Sequence, residues 1–241
     1  MNMGLMGVAA SAVLAMSVVQ GGAATLVIDD FSTNQLVKDV PSVGASNNSE
    51  VAGAGILGGY RDLQIANTAF GGSSEDASEL RVAGGVLAFS NAALAKGRGY
   101  ITYDGSDDPL TVNTTGLGGI NLAFGTDPYF KFDVAYFDQN AYIEVQAWDM
   151  FGNTVSYSES LKTGFNPNLA FTELKGDAGF DWTKVGALQF FVDSTGTDFS
   201  VDGILNSITV EATVVPLPAP ALLLLGGISS LAMLRRRKKA A

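Results

Sequence analysis

The sequence predicts an all-β protein, an antiparallel β-sandwich of jelly-roll type, flanked by an N-terminal signal helix and a C-terminal apolar helix. Short segments with alternating apolar and polar residues recur along residues 25–213, and this period is that of strands. Clusters of Gly, Ser, Asn and Asp separate these segments. No helical period holds over three turns. Since the body is long enough for one sizeable core, we divide the chain into residues 1–24, 25–213 and 214–241.

Eight segments carry the strand pattern. In chain order they are 25–31, 60–66, 79–90, 97–105, 129–138, 141–161, 185–194 and 200–212. The segment 129–138 places Lys131 and Asp133 on one face. Its other face, which we expect to point into the core, carries Phe130, Phe132, Val134 and Tyr136. Residues 34–55, by contrast, mix turn formers without a sustained period and are predicted to form a mobile loop.

Residues 141–161 predict a hairpin with its turn at 151–153. The face directed to the core carries Ile143, Val145 and Ala147. The opposite face carries Tyr142, Glu144, Gln146 and Trp148, which we predict to bind a ligand. Flat aromatic rings complement the apolar faces of sugars, so the expected ligand is polysaccharide. The alternative is that a loop covers these side chains and they only pack, which is the role expected for Trp182.

The composition excludes several function classes. The 241 residues include neither Cys nor His, which removes thiolate nucleophiles, thiolate zinc sites and the usual general base. Acidic residues number 24 against 14 basic ones, and five of the basic residues lie at 235–239. Nucleic acid is therefore an unexpected partner, because association with phosphates needs clustered Lys and Arg. Carboxylate-based catalysis and calcium bound by oxygen ligands remain open.

The N-terminal residues have the pattern of a secretory signal peptide. An apolar run from Leu5 to Val19 is followed by small residues at Gly22 and Ala24, so the mature chain would begin at Thr25. The basic residues usual before such an apolar run are missing. A buried helix of the globular domain is the alternative interpretation.

The C-terminus has three parts. Pro216, Pro218 and Pro220 keep the first part extended. The apolar run 219–234 would reach about 24 Å as a helix, short of the hydrocarbon core of about 30 Å, so it spans a membrane only marginally. The basic residues at 235–239 would stay on the cytoplasmic side, which places the acidic body outside.

Residues 215–239, VPLPAPALLLLGGISSLAMLRRRKK, resemble the VPLPA variant of the PEP-CTERM class of bacterial sorting signals. The motif residues are Val215, Pro216, Leu217, Pro218, Ala219, Arg235, Arg236 and Arg237. The resemblance implies a Gram-negative host, a membrane-held intermediate processed near 215–219 by an exosortase, and export to the cell surface or extracellular polysaccharide matrix. The alternative is a permanent membrane anchor for an envelope protein with a protein partner.

The body is similar, over looser patterns, to galactose-binding-like jelly-roll modules. The patterns are VIDDF at 27–31, GILGGYRDL at 55–63 and DWTKVGALQFFVDSTGTDFSVDGI at 181–204. The resemblance implies glycan or protein binding and a structural calcium near the termini. We assign the calcium to Asp29, Asp30, Asp198 and Asp202. A second set of acids, Asp104, Asp107 and Asp108, lies in YDGSDD at 103–108. Neither set matches an EF-hand spacing, and solvated turn acids are the alternative for both.

The sequence therefore predicts a non-enzymatic exported protein with a structural, adhesive or glycan-binding role. The alternative from another class is a carboxylate-dependent polysaccharide hydrolase or lyase. With 24 acidic residues some pair will have a suitable separation by chance, and Glu144, on an outward strand face, is the acid to test. A shallow aromatic strip would favour a binder, and a deep cleft with converging acids would favour an enzyme.

Overall fold

Two antiparallel β-sheets make up the part of the chain that the structure describes. The structure is a computed structural model, and it describes residues 23–41, 47–73, 75–161, 168–196 and 199–213. The predicted signal peptide, apart from its last two residues, and the whole predicted sorting signal lie outside these ranges. Within the described ranges, no helix combines the length and the apolar character needed to cross a membrane.

The strands are numbered β1 to β14 in chain order, and each sheet holds seven of them. Sheet 1 contains β1 Ala23–Asp29, β2 Gln35–Asp39, β5 Ser78–Ala83, β6 Val86–Asn91, β8 Thr126–Phe137, β11 Asn168–Ala170 and β14 Gly203–Thr213. Sheet 2 contains β3 Asn48–Ala52, β4 Tyr60–Ala69, β7 Lys96–Tyr103, β9 Ala141–Asp149, β10 Thr154–Leu161, β12 Lys175–Gly176 and β13 Val185–Asp193. Two single-turn 3-10 helices, Leu57–Gly59 and Phe171–Glu173, lie in connections. The prediction of an all-β sandwich is confirmed.

Strand β14 organises sheet 1. One of its edges pairs with β8. Its other edge pairs with β6 at its beginning and with β1 at its end, where Ala23 lies opposite Thr213. The first and last described strands are therefore neighbours, which ties down both ends of the sandwich.

Sheet 2 has the strand order β12, β10, β9, β13, β7, β4 and β3. Strands β9 and β10 form the predicted hairpin. In its turn, the Asp149 carboxylate accepts hydrogen bonds of 2.9 Å from the backbone N–H groups of Phe151 and Asn153. Gly152 has a φ of 86°, a left-handed conformation that glycine adopts without steric cost.

The core lies between the two sheets. Phe130 of sheet 1 meets Phe190 of sheet 2 edge to face, with ring centroids 5.7 Å apart. Val145 faces the core as predicted and is 1% exposed. Trp182 stacks on Phe171 with centroids 3.9 Å apart, the packing role expected for it. Burial of each large apolar side chain contributes about 1.5–3 kcal/mol, so the packing between the two inner faces stabilises the sandwich.

The predicted core face of β8 is wrong at its C-terminal end. Tyr136 is 42% exposed, whereas the adjacent Phe137 is 7% exposed and belongs to the core. The pairing of β8 with β14 shifts in register between Val134 and Tyr136, which marks a β-bulge. An extra residue on one strand reverses the facing of the residues beyond it, and a period counted along the sequence does not detect it.

The predicted mobile loop at 34–55 contains strands β2 and β3 instead. They pair with β5 and β4, each at one edge of its sheet. Gln35 links these segments, since its Nε2 donates to Ser49 O at 2.7 Å and its Oε1 accepts from Arg61 Nε at 2.7 Å. Residues 42–46 lie outside the described part of the chain. These five-residue strands are too short to show a sustained period.

A buried ion pair joins β1 of sheet 1 to β4 of sheet 2. Arg61 Nη1 lies 2.8 Å from Asp29 Oδ2, and both side chains are fully buried. Tyr103 donates its hydroxyl to the same oxygen at 2.9 Å, and Arg61 Nη2 donates to Thr33 O at 2.7 Å. Burial raises the pKa of Asp29, and the charge and hydrogen bond of Arg61 oppose this rise. The pair therefore acts as an internal polar link between the sheets.

Candidate functional site

The outer face of sheet 2 carries a depression of about 380 Å³ over β7, β13 and β9. The side chains that line it are Arg98, Tyr100, Tyr142, Glu144, Gln146, Gln189, Phe191 and Asp193. Successive residues of a strand point to opposite faces, and the residues between these ones face the core. The volume falls within the range of about 300–1,000 Å³ that is usual for ligand sites.

The strand register arranges the site in three rows across β7, β13 and β9. The rows are Arg98, Asp193 and Tyr142; Tyr100, Phe191 and Glu144; and Thr102, Gln189 and Gln146. The Cβ atoms of directly opposed residues lie about 5 Å apart. Each row is therefore a line of three neighbouring side chains, one from each strand.

Phe191 is at the centre of an aromatic strip. Its ring centroid lies 4.8 Å from that of Tyr100 and 6.4 Å from that of Tyr142. The Arg98 guanidinium lies over the same ring, 5.3 Å from its centroid, within the range of cation–π attraction. Tyr142 is 36% exposed and the other two rings are partly buried. Phe191 thus packs against both tyrosines, and Tyr142 remains at the surface.

Arg98 and Asp193 form an ion pair at one end of the depression. Arg98 Nη2 lies 2.9 Å from Asp193 Oδ2, and Thr195 N donates to Asp193 Oδ1 at 2.7 Å. Burial acts to raise the pKa of Asp193, but the hydrogen bonds from Thr195 and Arg98 outweigh it and keep this pKa below its usual value. The hydrogen bond to Asp193 in turn raises the pKa of Arg98. Both groups are charged at neutral pH.

Glu144, Gln146 and Gln189 supply further polar groups. Gln189 Nε2 donates to Thr102 Oγ1 at 3.0 Å. The side chains of Glu144 and Gln146 are half-buried, and they have no hydrogen-bond partner among the described residues. Their donors and acceptors are therefore available to the hydroxyl groups of a ligand.

No protein-family model and no curated protein matches this chain. Among solved structures, the agarase AgWH50C is similar with a TM-score of 0.42 and 11% identity, over 82% of this chain and 25% of that one. CtCBM11 is similar with a TM-score of 0.38 and 13% identity, over 84% and 99%. TmCBM61 in complex with β-1,4-galactotriose has a TM-score of 0.29 and 11% identity, over 75% and 89%.

The chain spans about a quarter of two of the similar structures, 23% of PfGH50B and 25% of AgWH50C. All of these TM-scores lie below 0.5, so the similarities assign neither a ligand nor an activity to this chain.

Three of the four predicted ligand-binding residues line the depression: Tyr142, Glu144 and Gln146. Trp148 follows them on β9, opposite Ala187 and Thr154, and does not line it. The three residues form the β9 side of the depression. The sequence predicts that they share a face, because alternate residues of a strand point to the same side of the sheet.

The other side of the depression, notably Arg98, Tyr100 and Phe191, was not among the predicted ligand-binding residues. Strand alternation in 97–105 and 185–194 places these residues outward. No local pattern indicates that β13 and β7 lie beside β9, since these strands are far apart along the chain.

Two of the predicted calcium ligands lie far apart. Asp29 is opposite Ile208 in the pairing of β1 with β14, whereas Asp202 immediately precedes Gly203. Six residues of strand separate these positions, about 20 Å at about 3.3 Å per residue. The two aspartates cannot share one ion, so the predicted grouping is wrong although the terminal strands do pair.

The predicted calcium ligands Asp29, Asp30 and Asp202 accept hydrogen bonds from protein groups. Asp29 accepts hydrogen bonds on both carboxylate oxygens. Asp30 Oδ1 accepts from Ser32 N at 2.9 Å, and Asp202 Oδ1 accepts from Asn91 N at 3.1 Å. Asp198 lies outside the described residues, as do the sorting-motif residues Val215 to Ala219 and Arg235 to Arg237.

Proposed function

We propose that this chain is an exported, non-enzymatic β-sandwich protein, jelly-roll-like in its connectivity, that binds a glycan on the outer face of sheet 2. The observation that carries the proposal is the aromatic strip of Tyr100, Phe191 and Tyr142 beside Glu144 and Gln146. Aromatic faces stack on the apolar faces of sugar rings, and carboxylate and amide groups bind sugar hydroxyls.

The dimensions of the face suit a flat stretch of saccharide. Neighbouring strands lie about 4.8 Å apart, so three strands span about 10 Å, and three rows span about 13 Å along the strands. These three rows, apart from Thr102, form the floor of the depression. A short segment of a polysaccharide can lie across it with one ring against Tyr142.

The charges support binding over hydrolysis. A glycosidase needs two carboxyl groups, one of them a proton donor with a raised pKa. Both carboxylate oxygens of Asp193 accept hydrogen bonds, Oδ2 from Arg98 and Oδ1 from Thr195, so neither oxygen is free for catalysis. Glu144 is the one other acid lining the depression among the described residues. A hydrolase at this face would therefore lack its second catalytic carboxyl.

The two apolar termini support the cellular part of the proposal. The chain is exported by its signal peptide, processed through its VPLPA-type tail by an exosortase in the membrane of a Gram-negative bacterium, and placed at the cell surface or in the extracellular matrix. There it has a structural or adhesive role. The intact mass of the protein recovered from the medium and from the envelope tests this, because processing ends the chain near 215–219.

Glycan binding is tested with the full chain by affinity electrophoresis in gels that contain polysaccharide, followed by calorimetry with the best oligosaccharide. Tyr142→Ala should weaken binding roughly 2- to 13-fold, the equivalent of about 0.5–1.5 kcal/mol for one aromatic contact. The matched control is Tyr136→Ala, an exposed tyrosine on sheet 1, which should leave binding unchanged. Equal effects of the two variants would refute the assignment of the face. Release of reducing ends would instead support the hydrolase.

A further inference from the structure

Four carboxylates converge at the β3 edge of sheet 2. Glu50 on β3 lies opposite Asp62 on β4, and Asp62 lies opposite Thr102 on β7. Asp104 follows β7 two residues beyond Thr102 and therefore faces the same side of the sheet. Asp107 comes from the loop after β7. One carboxylate oxygen from each of Glu50, Asp62 and Asp107 lies within 4.8 Å of the others.

These acids contain buried oxygens without partners. Asp62 is 2% exposed and Asp104 is fully buried. Among the described residues, nothing donates a hydrogen bond to either oxygen of Asp62, to Asp104 Oδ1 or to Asp107 Oδ1. Native proteins leave few buried polar atoms unsatisfied, because a buried carboxylate without a partner is costly. The unpaired oxygens of Asp62, Asp104 and Asp107 lie close together, so we expect a bound ligand to satisfy them.

Among the described residues, no ion pair joins a basic side chain to these carboxylates. Arg61, next to Asp62 along β4, faces the interior and pairs with Asp29, and the two other ion pairs of the described residues also exclude the cluster. Burial and the charges of Asp104, Glu50 and Asp107 raise the pKa of Asp62 to about 8. The alternative to a bound cation is that Asp62 and Asp104 share a proton, which would lower the buried negative charge.

The loop after β7 holds the carboxylates in place by contacts made away from the unpaired oxygens. Glu50 Oε1 accepts from Ser106 Oγ at 3.1 Å, and Oε2 accepts from Asp107 N at 2.7 Å. Asp104 Oδ2 accepts from Asn113 N at 2.7 Å. The oxygens left without partners are thus preorganised, as the ligands of a metal ion are.

We propose that Glu50, Asp62, Asp104 and Asp107 bind one Ca²⁺ ion that fastens the loop after β7 to β3 and β4. Calcium takes six to eight oxygen ligands in flexible geometry, whereas magnesium demands a tight octahedron. The chain has no Cys or His, so the donor set is the hard oxygen set that calcium prefers. This inference is independent of the proposed glycan binding.

The test uses the full chain stripped of metal with EDTA. Calorimetric titration with CaCl₂ should show one site per chain, with a Kd near the values of about 10⁻⁴–10⁻³ M of extracellular modules. At about 100 times Kd, the Tm should rise by about 5–10 °C. Magnesium at the same concentration should give a smaller rise.

Variants of the proposed ligands and one control variant locate the site. Asp62→Asn and Asp107→Asn should abolish the calcium-dependent rise in Tm, whereas Glu79→Gln on β5, the same loss of charge in the other sheet, should keep it. If Asp62→Asn does not fold, Asp107→Asn and Glu50→Gln give the answer. Unchanged calcium binding in these variants would place the ion elsewhere and overturn the proposal. No heat and no change of Tm in the unmodified chain would show that the acids share protons instead.

Discussion

Replacement of Arg61 by Met should strongly destabilise the fold. The arginine is fully buried and donates to Asp29, Gln35 and Thr33 at 2.7–2.8 Å. Methionine occupies much of the same space but makes none of these hydrogen bonds. The variant leaves the buried Asp29 charge without its cation, and only the hydrogen bonds from Tyr103 and the Phe31 N–H remain.

Removal of one partner from a buried ion pair costs about 3–5 kcal/mol. An exposed pair provides the comparison: Lys131 Nζ lies 2.8 Å from Glu211 Oε1, with side chains 39% and 16% exposed, and such pairs contribute about 0–1 kcal/mol. The free energy of unfolding of a domain is about 5–15 kcal/mol. Arg61→Met should therefore remove a large share of it, and Lys131→Met very little.

The assay is urea unfolding of the full chain, followed by tryptophan fluorescence. Without Arg61, the pKa of Asp29 rises further above its unfolded value, so the native state takes up a proton first as the pH falls. Part of the loss in Arg61→Met should thus be recovered at about pH 5, and Asp29→Asn in the same chain should restore part of it at neutral pH. A destabilisation no greater than that of Lys131→Met would refute the reasoning.

Two further predictions concern local contacts. Hydrogen bonds from Asn153, Asp181 and Phe151 outweigh burial and lower the pKa of Asp149, so its stabilisation is present above the usual aspartate pKa and lost as the pH falls through the lowered value. Asp149→Asn should cost about 1–3 kcal/mol at neutral pH, and urea midpoints should fall less steeply below about pH 4 than in the unmodified chain. A Cβ at Gly116 would overlap the Asp104 carbonyl, whereas one at Gly196 meets nothing within 4 Å. Gly116→Ala should therefore lower the Tm by an amount equivalent to about 1–3 kcal/mol, with Gly196→Ala near neutral, and equal Tm values would contradict the packing at Gly116.

Local patterns predicted the longer strands well. The eight segments recognised by alternation overlap β1, β4, β7, β8, β9, β10, β13 and β14, and the segment 79–90 covers most of β5 and β6. The short strands β2, β3, β11 and β12 were missed. Each of these short strands is stabilised by hydrogen bonds to a longer neighbouring strand. The neighbouring strand is separate in the sequence, so a local pattern does not predict the pairing.

The acidic cluster shows the same limit. Asp104 and Asp107 belong to a turn that the sequence marks as acidic, but Glu50 falls in a segment predicted to be a loop. Asp62 is one residue from Arg61, which suggests compensation of its charge. Alternation along β4 sends Arg61 to the interior and Asp62 to the outer face, so the neighbouring charges lie on opposite sides of the sheet.

The sequence by itself determined the strand character of the body, its acidic charge and the shared face of Tyr142, Glu144 and Gln146, because a period of two is a local property. Tertiary structure alone decided that β13 and β7 lie beside β9, which places Phe191, Tyr100 and Arg98 against Tyr142. It also decided the bulge in β8 and the meeting of Asp62 with Glu50 and Asp107. Strand order and register depend on pairing between distant segments, and a shift of one residue moves every side chain to the other face.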